Sequence, residues 1–487
     1  MKQQWRLAPL VIASLFITPL LAWGSWTHAA SPTVQELVAA IQRHHPEYLA
    51  TLARTEQVAG ERLEAEAAFD VRLVQDTYAR SSGYYDGSYA EQRVIQPIQS
   101  MNAEVFGSYR ISDGEFPVYE AEYQTLDMGE ASLGVRLSLL QNRETDKRRL
   151  TQVMAAWRFM EAESKQLAEL NKLIYKGVSA YLSWYQSYRK VAVVKDLVAL
   201  TRERITGVQA RVLSGDLAAI NLTEFETTLL RRQLMENEAE QQFQLARQRL
   251  SYFWRTADSP QYQGDAIDIP PSNIDWPFRV EGSDASSLST SNLSTSGLEA
   301  TIDAHPAVEA LSAKVEQAKN KRKLARNETL PQLDLEVKVA RDIGDGIEPL
   351  TGTESIVGLS FFMPLGQRAA KAREAIADAE IRSLEYDQIV LREQLRRDLD
   401  MSLKALTYTR RILALSRQQE ALAETLLRQE RARFDEGVSD QFLLISRETT
   451  ALQAHLKTVD AEVEVLRQEL ALNATLASLQ PSLPHSS

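Results

Sequence analysis

The residue types that carry out chemistry are thinly spread along these 487 residues. Six histidines, His28, His44, His45, His305, His455 and His485, are the candidates for proton transfer or metal ligation. His44 and His45 adjoin, but successive residues on a helix face different ways and do not share an ion. There are no cysteines. That removes disulfides, thiolate metal sites, a sulfur nucleophile and a lipid-modified N-terminal cysteine. No phosphate loop, dinucleotide fingerprint or hydrolase elbow occurs. Charged runs such as Arg392, Glu393, Arg396, Arg397 and Asp398 read as solvated helix faces with i,i+4 pairs. The sequence therefore offers no catalytic, cofactor-binding or metal-binding constellation, and it does not read as an enzyme. With 55 basic and 66 acidic residues the net charge is −11, which disfavours nucleic acid as a partner.

The elements that would position any other site are long helices in a duplicated pattern. Residues 1–30 read as a secretory signal: Lys2 and Arg6, then an apolar stretch from Leu7 to Trp23, then Ala29 and Ala30 for cleavage. A membrane anchor is the rival reading, weakened by Pro9, Pro19 and the shortness of the run. No later stretch is long and apolar enough for a spanning helix, so any membrane crossing must use β-strands. Internal repetition is the strongest signal. His45-Pro46 recurs as His305-Pro306, Ala210–Gly215 as Ala432–Gly437, and Leu133–Leu139 as Ile356–Phe362, always in that order. The units span 31–256 and 298–478. A Pro/Ser-rich connector at 257–297 carries Pro260, Pro270, Pro271 and Pro277 and then a Ser/Thr run, and 479–487 form a tail.

Each unit reads as helix, strand pair, very long helix, tight turn and returning helix. The turn glycines Gly215 and Gly437 suit a left-handed residue at a helix end, and Asp216 and Ser439 are positioned to cap the returning helices. Phe442, Ile445, Thr449, Leu452, Leu456, Val459, Val463, Leu466 and Leu470 alternate spacings of three and four, a coiled-coil seam. The longest helices would reach on the order of 100 Å, with two half-length helices stacked beside each full-length one.

The strands near 69–140 and 331–364 set apolar residues against polar ones. Leu333, Leu335, Val337 and Val339 oppose Asp334, Glu336 and Lys338, and Leu133, Val135 and Leu137 oppose Gly134, Arg136 and Ser138. Such a sheet lies either on a soluble core or between lipid and water. The helices are committed to coiled-coil seams, which favours lipid. Four strands per chain cannot close a membrane barrel, so several copies must pool them. The first strand pair carries extra length within 80–130, holding Tyr84, Tyr85, Tyr89, Tyr109, Tyr119 and Tyr123. These suit a bilayer interface or a surface loop, and residues 105–111 could extend a strand.

In its duplication, its His-Pro pairs, Leu330-Pro331-Gln332-Leu333 entering a strand, Phe362-Met363-Pro364-Leu365 leaving one, and Arg433-Phe434 before Gly437, the chain resembles the TolC-type outer-membrane efflux family. The resemblance implies a homotrimer in the outer membrane. A mainly α chain would give duplicated long helical hairpins forming an α-barrel in the periplasm, with four strands per chain in a 12-stranded β-barrel. It implies an exit duct for a tripartite efflux pump or type I secretion system, working without a cofactor beside a periplasmic adaptor and an inner-membrane transporter. A pore-less periplasmic adaptor or coiled-coil scaffold is the alternative. By the same resemblance the adaptor-docking tips fall at Arg211, Val212, Leu213, Gly215, Arg433, Phe434, Gly437 and Val438. Family members often place aspartate where Asn221 and Leu443 stand, so Asp216, Asn221, Glu224, Asp440 and Leu443 are the candidates for a periplasmic constriction.

Overall fold

The computed structural model describes residues 31–479 except 81, 258–260, 265–266, 272, 281–299 and 347–349. The signal segment, the Ser/Thr-rich run and the tail beyond 479 lie outside the described residues. Among the described residues there are seven principal helices: α1 (Val34–His44), α2 (Pro46–Glu66), α3 (Lys147–Leu213), α4 (Ala219–Ser251), α5 (Pro306–Asn327), α6 (Arg368–Asp435) and α7 (Gln441–Thr475). The 67 residues of α3 and 68 of α6 correspond to helices of about 100 Å at 1.5 Å per residue. The shorter α2 and α4 both pack along α3, and α5 and α7 both pack along α6. The helices of the two units meet where α3 touches α5 and α7, and their strands meet where β4 (Glu130–Ser138) pairs with β5 (Gln332–Asp342).

The His-Pro pairs have a local cause. His45 and His305 are the N-caps of α2 and α5, with Pro46 and Pro306 at the first helical position, where a missing N–H costs nothing. The Nδ1 of His45 accepts from the Glu47 amide at 3.3 Å, and that of His305 from the Ala307 amide at 3.1 Å. Both rings must therefore be neutral. Burial pushes both pKa values below the ordinary histidine value. A depressed folded-state pKa means that the stabilisation is complete above the unfolded value of 6.5 and is lost as pH falls through the folded one. The melting temperature should accordingly drop between pH 7 and pH 5. In the variant His45→Asn, whose amide caps without titrating, the drop should be smaller; an equal drop in both proteins would remove His45 as its source.

The main core sits at mid-height of the first unit. Leu37 and Ile41 of α1, Ile174, Tyr181 and Trp184 of α3, Leu250 of α4, and Val463 and Leu470 of α7 pack together, all at most 1% exposed. Ile267, Trp276 and Phe278 of the connector join them, so that segment packs beside the helices. Gly177 lets α1 approach α3: an added Cβ would lie 2.5 Å from Ile41 Cδ1.

The α7 seam differs from the sequence pattern. Leu452, Val459, Val463 and Leu470 are buried, but Phe442 is 79% exposed. A second line, Leu444, Glu448, Ala451, Ala454 and Thr458, is also buried. The reason is that α7 packs against both α6 and α3. Ala451 and Ala454 meet Ala423 of α6 in a small-residue contact that a search for large apolar residues passes over.

The sheet holds six strands in the order β1 to β6: β1 (Arg72–Ala79), β2 (Ser88–Ile98), β3 (Ala103–Asp113), β4 (Glu130–Ser138), β5 (Gln332–Asp342) and β6 (Thr353–Phe362). All neighbours are antiparallel. The sequence pattern predicts four strands per chain. The extra pair is the hairpin β2–β3, built from the added length within 80–130. It lies in register with its neighbours, and residues 105–111 extend no strand past the sheet but form the middle of β3.

Candidate functional site: the two-faced sheet and the helical tips

Register fixes which side chains share a face. On one face stand Glu91, Arg93, Glu104, Arg110, Glu130, Arg136, Asp334, Glu336 and Lys338, in cross-strand succession. They pair with one another: Arg110 Nη2 with Glu130 Oε2 at 2.9 Å, Lys338 Nζ with Glu130 Oε1 at 3.0 Å, and Arg136 Nη2 with Glu336 Oε2 at 2.7 Å. On the other face Leu73, Val94, Ile111, Leu133, Val135, Val337, Val339, Val357, Leu359 and Phe361 are all exposed, from 41% at Val135 to 71% at Leu73. Among the described residues no α-helix packs against this sheet. An apolar surface of this extent, open across all six strands, is larger than water-facing surfaces ordinarily carry. No helix among the described residues is long and apolar enough to cross a membrane.

The tyrosines of the added segment are placed differently from a bilayer-interface belt. Tyr78 and Tyr89 pair on the charged face, and Tyr123 stacks on Tyr89 with centroids 4.8 Å apart and planes at 4°. Arg80 lies 4.0 Å over the Tyr85 ring, and Tyr119 donates to Tyr84 at 3.0 Å. Tyr109 alone among the six named tyrosines stands on the apolar face, 46% exposed. The loop after β3 is drawn toward the charged side by Leu126, whose amide donates to Asp342 Oδ1 at 3.2 Å.

At the far end each hairpin closes in the same way. Gly215 has φ +84° and Gly437 φ +78°. The Asp216 amide donates to the Arg211 carbonyl, and the Val438 amide to that of Arg433, both at 2.9 Å, the wrapped ending that a left-handed glycine permits. Two caps differ from the sequence reading. The N-cap of α4 is Ala218, without a side-chain bond, because Asp216 accepts from Ser214 Oγ at 2.9 Å. The N-cap of α7 is Asp440, which accepts from the Leu443 amide at 2.7 Å, while Ser439 donates to Glu430.

Of the tip residues singled out, Arg211, Leu213, Gly215, Arg433, Gly437 and Val438 are exposed, and Val212 and Phe434 are half-buried against their hairpins. Among the constriction candidates Asp216, Glu224 and Asp440 are exposed, and Asn221 and Leu443 half-buried. The Asn221 carbonyl accepts from Gln441 Nε2 at 3.1 Å and so ties the two hairpins together. Phe442, read as a seam residue, joins the exposed tip surface.

Sequence reasoning missed the strongest polar link. Glu448 of α7 is 1% exposed and lies among Arg204 of α3, Arg232 of α4 and Arg431 of α6. Arg232 Nη2 donates to Glu448 Oε2 at 2.9 Å, and Arg204 donates to the other oxygen. Burial would raise the Glu448 pKa, but Arg204 and Arg232 outweigh it and hold the carboxyl below its ordinary value. One carboxylate thus joins all four helices of both hairpins. The available signal was a charged residue at a core spacing, four after Leu444 and three before Ala451.

Among the described residues one group has donors for a cation: Glu420 and Glu424 of α6 with His455 of α7, within 4.8 Å. Glu420 already pairs with His455, and Glu424 is exposed, so a helix-to-helix contact accounts for the group.

This architecture, two long helical hairpins below a sheet with one charged and one bare apolar face, is similar to that of solved outer-membrane channels. Residues 298–478 match the family described as "Outer membrane efflux protein". The fold is similar to that of the MtrE outer membrane channel of Neisseria gonorrhoeae, with TM-score 0.64 at 14% identity over 99% of this chain and 98% of that one. It is similar to that of VceC of Vibrio cholerae, 0.62 at 14% over 91% and 96%, and of the CmeC channel of Campylobacter jejuni, 0.60 at 13% over 97% and 94%. No curated protein matches. The chain thus has the fold of these outer-membrane channels, and the family match covers its second unit.

Proposed function

We propose that the chain is one subunit of a trimeric exit duct, with its sheet in the outer membrane and its helices in the periplasm, through which a partner-driven pump or secretion system expels its cargo. The observation that carries this reading is the sheet: its apolar face is bare, its charged face is internally paired, and both edges are open. Lipid on one side and water on the other satisfies the two faces, and further copies satisfy the edges.

A second observation supports assembly. Along α6 the residues Met401, Tyr408, Ile412, Leu415, Leu422 and Leu426 recur at spacings of three, four and seven, and all are at least 44% exposed. A coiled-coil stripe left bare in one copy is covered when helices of neighbouring copies close a helical barrel. The pore-less adaptor or scaffold reading accounts for neither the bare sheet face nor this stripe. Energy comes from the partner, and opening is a shift between closed and splayed helix ends.

The tip residues Arg211, Leu213, Arg433 and Val438, with Phe442, form the surface on which an adaptor would dock. Reversal of charge at Arg433, which is 57% exposed and loosely paired with Glu430 at 3.8 Å, should lower transport in cells several-fold while trimers persist. Unchanged transport after reversal at both Arg211 and Arg433 would remove the docking assignment. The duct itself is tested by fractionation and planar-bilayer recording of the purified protein. Ion-conducting trimers extracted from the outer membrane are expected, and a soluble, non-conducting monomer would refute the proposal.

A further inference from the structure

We infer that three copies close a wall of eighteen strands, β1 of each copy pairing with β6 of the next. This rests on the trimeric duct proposed above and adds the strand count and the joining surface. The six strands form one uninterrupted meander. β2 and β3 pair over their full lengths, Ser88 with Asp113 through Ile98 with Ala103, so this hairpin belongs to the wall and not to a loop above it.

Its turn lies at the helical end of the sheet, where Gln99 Nε2 donates to Gln152 Oε1 of α3 at 2.8 Å. Each strand therefore runs the height of the sheet. β1 leaves the helical end and β6 returns to it, so the two flanks of neighbouring copies meet antiparallel, and an even number per copy keeps that alternation around the ring. Every residue of β1 and of β6 is exposed, unlike those of the strands between them. An unpaired edge is not tolerated in lipid, and a second copy presents the strand of opposite direction.

The faces continue across the join. Leu73 lies on the apolar side with Val357, Leu359 and Phe361, and Arg72 and Asp76 lie on the charged side with Gly358 and Ser360. Besides Thr77, Gln96, Asp113 and Arg341, the polar residues on the apolar face include Gln75 and Gln92. They stand opposite each other and are hydrogen-bonded at 3.3 Å, which offsets part of their desolvation.

At about 4.8 Å between strands and a tilt near 40°, eighteen strands enclose a bore about 36 Å across at the backbone, against about 24 Å for twelve. The outer-membrane section would then pass bulky hydrated cargo, and selection by size would fall to the helical end.

The chain has no cysteine, so paired cysteines test the join without background. Gln75→Cys is combined in turn with Ser355→Cys, Val357→Cys, Leu359→Cys and Phe361→Cys, and the outer membranes are oxidised. A parallel set pairs Val105→Cys of β3 with the same β6 positions. At least one β1–β6 pair should shift the denatured chain to three times its mass, reversibly with reductant, while the β3 set stays monomeric. Trimers that link β3 to β6, or link in neither set, would overturn the eighteen-strand closure and leave the channel standing. A soluble monomer would overturn both.

Discussion

Glu448→Gln will loosen the helical end of the molecule and raise resting conductance. The carboxylate accepts from Arg204 and Arg232 and pairs with Arg431 at 3.6 Å, and the Arg232 side chain is itself only 6% exposed. Removing the charge leaves a buried guanidinium without its counter-ion, and breaking a buried pair from one side costs about 3 kcal/mol or more. The cost falls where α3 and α4 meet α6 and α7, so splayed tips become more populated. A lower melting temperature and a several-fold higher open fraction in planar bilayers are expected. The exposed control Glu436→Gln should show neither. Because the folded pKa of Glu448 is depressed, its stabilisation is complete above about pH 4.5 and is lost as pH falls through the folded value. The link therefore holds at neutral pH, and acid weakens it only below the usual carboxylate range. Wild-type conductance and stability in Glu448→Gln would show that this cluster does not hold the tips together.

The second large effect belongs to the sheet. Val337→Arg places a charge on the bare apolar face, opposite Val135 of β4 and Val357 of β6. In the middle of a bilayer such a charge costs about 2–4 kcal/mol per chain, and each copy in an assembly would bear it. Outer-membrane trimers should fall sharply. Ser360→Arg, on the charged face and opposite Asp334, should assemble normally. Western blots of unheated outer membranes read the difference. Equal assembly of the two variants would mean that the apolar face does not meet lipid.

Parts of this organisation were legible because a single residue type has a single physical reason to be there. A glycine at the end of a long apolar-periodic stretch marks a left-handed turn, and Gly215 and Gly437 adopt one. Histidine followed by proline marks a capped helix start, although the capping role of the imidazole appears only in the structure. Strands β4, β5 and β6 alternate cleanly and could be read directly. β2 could not: Gln92 and Gln96 interrupt its apolar face and Pro97 breaks the strand pattern. Pro97 is tolerated because pairing with β1 ends at Ile95, so its missing N–H withholds no bond from that neighbour. Phe442 and Glu448 were misread or missed for one shared reason. Helix α7 has two packed sides, and a single heptad assigns every residue to one.

The central claim is that these strands divide lipid from water. Single cysteines at 333–339 in the cysteine-free chain, challenged in intact outer membranes with a membrane-impermeant charged maleimide, test it most directly. Asp334, Glu336 and Lys338 substituted by cysteine should react quickly, while the same change at Leu333, Leu335 and Val337 should give little product until detergent is added. Uniform reaction along the strand without detergent would contradict the account.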